Sequence, residues 1–104
     1  MTAGRTSHAL AAARAALHEF DGAHEQAARL FEEAAAGWEA WGFVLGRGEA
    51  LLGAGRCLLA IGRTDAGRER LTDARAIFAG LSAQPLLARV DALLGDAPLE
   101  AARI

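Results

Sequence analysis

The feature that most constrains this chain is an internal repeat. When the sequence is shifted by 40 residues, large residues fall on large ones and small residues on small ones. The matched pairs are Gly22 with Gly62, Phe31 with Leu71, Ala34 with Ala74, Trp38 with Phe78, and Trp41 with Leu81. A fixed period of this length is typical of helical hairpins that stack into an array.

The first half of the repeat matches less well. Its apolar residues come one position early relative to their counterparts: Leu10, Ala13 and Leu17 against Leu51, Ala54 and Leu58. This offset predicts one extra residue in the connection between the first two helices, at 19–22.

Composition agrees with a helical fold. The 104 residues include 27 alanines and 15 leucines but few β-branched residues, so a β-sheet protein is excluded. A hydrophobic content of 53% excludes a disordered chain. The net charge of −2, with both signs interspersed, argues against a nucleic-acid partner. No apolar run is long enough for a membrane span.

Apolar spacing of three and four residues predicts five helices, over residues 7–19, 23–41, 44–61, 65–81 and 85–94. Short connections make consecutive helices antiparallel. We therefore expect an all-α fold of stacked antiparallel helical hairpins forming a single domain over residues 1–104. Residues 96–104 form either a tail or a partial capping helix. A closed five-helix bundle is the alternative, and it requires no repeat.

The alternation of large and small residues resembles the tetratricopeptide repeat. The pattern is Leu51-x2-Ala54-Gly55-x2-Leu58-x3-Gly62-x4-Gly67-x3-Leu71-x2-Ala74, and Gly22-x4-Ala27-x3-Phe31-x2-Ala34 matches its second half. The phrases LLGAGRCLLAIGR and ARAIFAGLSA also resemble the C-terminal repeat arrays of bacterial LuxR-type and cyclase-linked multidomain regulators. The 40-residue step is longer than the tetratricopeptide period of about 34 residues.

This resemblance implies a non-enzymatic protein–protein interaction module, part of a bacterial transcription or signalling regulator. In the family a concave groove, lined by the first helix of each hairpin, holds a peptide or a partner helix. The groove positions in this chain are Glu49, Leu52, Arg56, Leu59 and Arg89. Arg56 and Arg89 would bind an acidic segment over a floor of Leu52 and Leu59. The alternative function is homo-oligomerisation as a structural scaffold, with a homodimer burying the open ends of the array.

Other motifs predict no chemistry. His8, His18 and His24 lack metal-ligand spacing, and the glycines of the segment 46–53 match neither a dinucleotide nor a phosphate-loop motif, so we expect neither metal nor cofactor. The adjacent Glu32 and Glu33 have arginine neighbours, as on an ordinary solvated helix face.

The aromatic pair and the single cysteine are best interpreted as packing residues. Trp38 and Trp41 lie at helical spacing, which favours a place between repeats, and either one found exposed would mark an interface. Cys57 lies in an apolar stretch and is expected to be buried and unreactive. We expect a cytoplasmic protein that is not an enzyme.

Overall fold

The structure is a computed structural model that describes residues 4–96, and within them every regular element is an α-helix. The helices are α1 (Gly4–Phe20), α2 (His24–Trp41), α3 (Val44–Ala60), α4 (Thr64–Gly80) and α5 (Gln84–Asp96). The predicted all-α fold of packed consecutive helices is confirmed. The predicted tail or capping helix at 96–104 lies, beyond Asp96, outside the described residues.

The helices form an open array. Each helix packs on the next, and α1 also touches α3, whereas α1 and α5 are not a packed pair within residues 4–96. The molecule is accordingly elongated and thin, with extents of 53 × 31 × 19 Å. A closed bundle would bring its first and last helices together, so the alternative arrangement is not observed.

The connections recur every 20 residues. Each of the first four helices is followed, within two residues, by a residue with positive φ: Gly22, Gly42, Gly62 and Ser82. The next residue donates its backbone N–H to a carbonyl five positions back, as Ala23 does to His18 and Phe43 does to Trp38. These are helix ends of the Schellman type, for which glycine is favoured because it adopts the left-handed conformation without strain.

The predicted extra residue in the first connection is wrong. The first residues of α1 and α3 are 40 positions apart, and so are their last residues. The left-handed residues that follow them, Gly22 and Gly62, are also 40 positions apart. The offset arose because α1 buries its alanines, Ala11 and Ala15, and turns its leucines outward. Matching leucine with leucine therefore compared two different faces of the helix.

The central helix α3 is built around two pairs of glycines. Gly46 and Gly53 face α2, and a Cβ atom at Gly53 would lie 2.6 Å from the Phe31 ring. Gly48 and Gly55 face α4, and a Cβ atom at Gly48 would lie 2.7 Å from the Phe78 ring. Because glycine has no side chain, each aromatic ring packs directly on the α3 backbone. The glycine-rich segment is thus a helix-packing device.

Candidate functional site

The structure separates the five predicted groove residues. Glu49 and Arg89 are exposed, and neither forms an ion pair with another described residue. Leu52 is only 3% exposed and belongs to the main core cluster, while Leu59 is half-buried and packs against Gly67. Since α3 is covered by both α2 and α4, these two leucines serve helix packing and do not offer an open apolar floor.

Arg56 is already engaged within the chain. Its Nη2 donates to Oε1 of Glu19 at 2.9 Å, and its Nε donates to Oε2 of the same carboxylate. This two-point ion pair ties the end of α1 to α3. An acidic partner could bind Arg56 only in competition with Glu19, so Arg89 is the groove arginine with free donors toward a ligand.

The ion pair changes the titration of Glu19. Hydrogen bonds from Arg56 hold the pKa of Glu19 below its ordinary value, and the nearby charges of Arg56 and His24 act in the same direction, against the opposing effect of partial burial. A carboxylate with a lowered folded-state pKa stabilises the fold above its unfolded pKa, and this contribution is lost as the pH falls.

We expect Glu19→Gln to weaken the dependence of stability on pH on the acidic side. Because glutamine does not titrate, the variant should be less stable than wild type at neutral pH, by up to about 1 kcal/mol for a partly exposed pair. The difference should shrink once the pH falls below the ordinary glutamate pKa of about 4.3, toward the lower pKa of the folded state. Urea unfolding at several pH values measures this, with the exposed Glu33→Gln as the control. A difference that does not vary with pH would contradict the assignment.

A groove does lie between α1 and α3, the first helices of the two hairpins, but most of its lining residues are not the predicted ones. It encloses a cavity of about 250 Å³. Small residues of the two helices form its walls, and aromatic residues lie beneath them. The lining residues are Ala9 and Ala12 of α1, Phe31 and Trp38 of α2, Phe43 before α3, and Gly46, Glu49 and Ala50 of α3. We call this the α1–α3 groove. The cavity exists because alanine and glycine leave space above the rings.

The floor of the α1–α3 groove is held by aromatic packing. Trp38 is buried and makes edge-to-face contacts with His8 and Phe43, with ring centroids 5.2 and 5.0 Å apart. The half-exposed Trp41 makes a further edge contact with Trp38 at 6.2 Å. Such contacts fix ring orientation. The expectation that the tryptophans pack between repeats is confirmed for Trp38, whereas Trp41 lies at the surface beside the groove.

Glu49 supplies a negative charge at the α1–α3 groove. The 40-residue shift places Glu49 at the position of Ala9, and Arg89 at the position of Glu49. The same surface therefore continues from α1 across α3 to α5, with a carboxylate followed by a guanidinium. Of the predicted residues, only Glu49 lines the cavity. The sequence did not predict a groove position at Ala9, Ala12 or Gly46. The repeat match of Trp38 with Phe78 was the one signal that pointed to this part of the surface, since Trp38 also lines the groove.

The opposite side of the array is occupied by internal ion pairs. Glu25 pairs with Arg63 at 3.3 Å and Glu32 pairs with Arg70 at 2.9 Å, both bridging α2 toward the α4 hairpin. A larger cavity of about 340 Å³ lies beside them, lined by five residues of mixed charge and polarity around Ala28 and Leu58. Glu25, Glu32 and Arg63 at this cavity are already engaged in ion pairs, whereas Arg29 forms none with another described residue.

Cys57 and the histidines contribute no reactive group. Cys57 is fully buried, and burial raises the pKa of its thiol to about 11. The expectation that Cys57 is buried is confirmed, and the raised pKa disfavours the reactive thiolate form. Among the described residues, no group of His, Cys, Asp and Glu is arranged to hold a metal ion.

None of the described helices combines the length and apolarity that a membrane span requires. No protein-family model, curated protein or solved structure matches the chain.

Proposed function

We propose that the protein is a non-enzymatic interaction module that binds a peptide or a partner helix in the α1–α3 groove. One observation supports this most strongly. An apolar cavity lies open above Trp38, next to a carboxylate, Glu49, that has no cationic partner within the described residues. Apolar clefts with a few well-placed polar groups are the usual form of a binding site.

The shape and charge of the α1–α3 groove favour one kind of ligand. A cavity of about 250 Å³ takes one or two apolar side chains, not a folded domain. Glu49 favours a basic residue beside this anchor, and Arg89 favours an acidic residue farther along the surface. The partner we propose is thus an amphipathic segment with an apolar anchor between a basic and an acidic residue. The sequence resemblance to repeat arrays of bacterial regulators supports a role in transcription or signalling.

Blocking the groove should abolish this binding. Ala12→Leu is a suitable change because Leu52 occupies the equivalent position one repeat later, so leucine fits this helix position while it fills the cavity. Peptides selected from a displayed random library against the wild-type chain should lose at least tenfold in affinity for this variant, about 1.4 kcal/mol. Glu49→Arg should lower the affinity for peptides that carry a basic residue, because it reverses the charge beside the cavity. Fluorescence anisotropy measures both effects.

Ala36→Leu is the matched control, because Ala36 is exposed and lines the opposite surface, between α2 and α4. Selected peptides should bind this variant as they bind wild type. The proposal is contradicted if the library yields no binder, or if selected peptides bind Ala12→Leu and wild type equally well.

A further inference from the structure

Helix α1 carries a stripe of large apolar side chains on its outer face. Leu10, Leu17 and Phe20 are 50%, 65% and 89% exposed, and Ala13 lies exposed between them. The spacing is three, four and three residues, which aligns all four on one side of the helix, opposite the buried Ala11 and Ala15. We call these four residues the α1 stripe. Large apolar groups gathered in this way are characteristic of an interface.

The same face is covered by a helix elsewhere in this chain. Leu10, Ala13 and Leu17 correspond to Ala50, Gly53 and Cys57 in α3, all of them buried. There α2 provides the cover, with Phe31 lying on Gly53. In α5 the equivalent of Leu10 is Val90, which is fully buried and shares a cluster with Phe78 of α4. In both α3 and α5, this face is therefore covered by the preceding antiparallel helix.

We propose that the α1 stripe binds the α1 stripe of a second copy of this chain, in an antiparallel pair around a two-fold axis. The pattern is self-complementary in this arrangement. With the axis near residue 15, Leu17 of one copy faces Ala13 of the other, and Leu10 faces Phe20. Each leucine at residue 17 then meets a small residue, as a knob meets a hole. The stripe itself contains no charge, and Arg14 and Asp21 lie at its edge.

The pair should be weak and reversible. Three large side chains per copy cover less than the roughly 800 Å² per partner of a standard interface. We therefore expect dissociation in the micromolar range. This interface is separate from the α1–α3 groove, so it goes beyond the proposed peptide-binding function, and either one can fail without the other.

Sedimentation equilibrium of the full chain, from micromolar to high micromolar concentration, tests the proposal. The expected result is a monomer–dimer equilibrium that Leu17→Glu shifts to monomer by at least tenfold. Leu17→Glu should keep the helical circular dichroism of wild type because Leu17 is exposed. Leu81→Glu is the matched control, since Leu81 is similarly exposed at the far end of α4 and should leave the dimer intact. A monomer at all concentrations, or a dimer that survives Leu17→Glu, overturns the proposal.

Disulfide crosslinking tests the antiparallel register. When the Ala13→Cys and Leu17→Cys variants are mixed under mild oxidation, the mixed dimer should form faster than either homodimer, because residue 13 faces residue 17. Cys57 is buried and should not compete. Faster homodimer formation would indicate a parallel pair and would overturn the proposed arrangement.

Discussion

Replacement of Gly55 by valine is expected to lower the free energy of unfolding by about 3 kcal/mol, the upper end of the usual cost of overpacking a core. A Cβ atom at Gly55 would lie 2.6 Å from Cγ of Leu71 and 3.0 Å from the backbone carbonyl oxygen of Gly67. The leucine could change rotamer, but the carbonyl belongs to helix α4 and cannot move away alone. The variant must therefore separate α3 from α4.

Gly80→Ala is the control for Gly55→Val. Gly80 also lies in a helix, but nothing lies within 4 Å of a Cβ atom there, and its φ is not in the left-handed region. Alanine should increase stability by up to about 1 kcal/mol, because glycine disfavours the helical conformation. Urea unfolding monitored by circular dichroism measures both variants. If Gly55→Val were as stable as wild type, α3 and α4 would not be in the close contact described here.

The second large effect is expected at Phe78. It is the largest of the fully buried side chains, and its ring rests on the α3 backbone at Gly48. Phe78→Ala should reduce the free energy of unfolding by about 3–5 kcal/mol, since the cavity it leaves cannot be filled by Gly48. The loss is a large part of the roughly 5–15 kcal/mol that stabilises a typical domain. Chemical denaturation gives the value, and a loss below about 1 kcal/mol would contradict the packing.

A double-mutant cycle separates this contact from general core damage. Gly48→Ala should be destabilising because the new Cβ would lie 2.7 Å from the Phe78 ring and 2.9 Å from Ile77. In a Phe78→Leu background the same change should cost less, because the ring that it meets is gone. Such coupling is expected only between residues in contact. Strictly additive effects would show that Gly48 does not accommodate Phe78.

The sequence predicts the helices well because their signals are local and repeated. The 40-residue match of Phe31 with Leu71 and of Trp38 with Phe78 depends on apolar spacing within one helix. All four side chains are buried in the core, with at most 7% exposure. Two of the turn positions, Gly22 and Gly62, also belong to the repeat match. Among residues 4–96, Ser82 is the one position that holds a left-handed turn without glycine.

The orientation of α1 and the composition of the groove were not predictable in the same way. Alanine is compatible with either face of a helix, so its abundance in α1 gives no direction. The burial of Ala15 and the exposure of Leu17 are decided by contacts with α2. The pairing of Arg56 with Glu19 spans 37 residues and depends on how two separate helices pack. The α1–α3 groove is defined by missing side chains, which leave little pattern in a sequence.

The second hairpin repeats the first after 40 residues, and distances between spin labels test this equivalence most directly. Two doubly labelled chains are needed, one with labels at residues 9 and 36, the other at residues 49 and 76, all exposed positions. Cys57→Ala provides the background, and dilution with unlabelled chain removes intermolecular distances. We expect pulsed electron–electron double resonance to give coincident distance distributions for the two labelled chains. Clearly different maxima would show that the hairpins are not equivalent and would contradict the array.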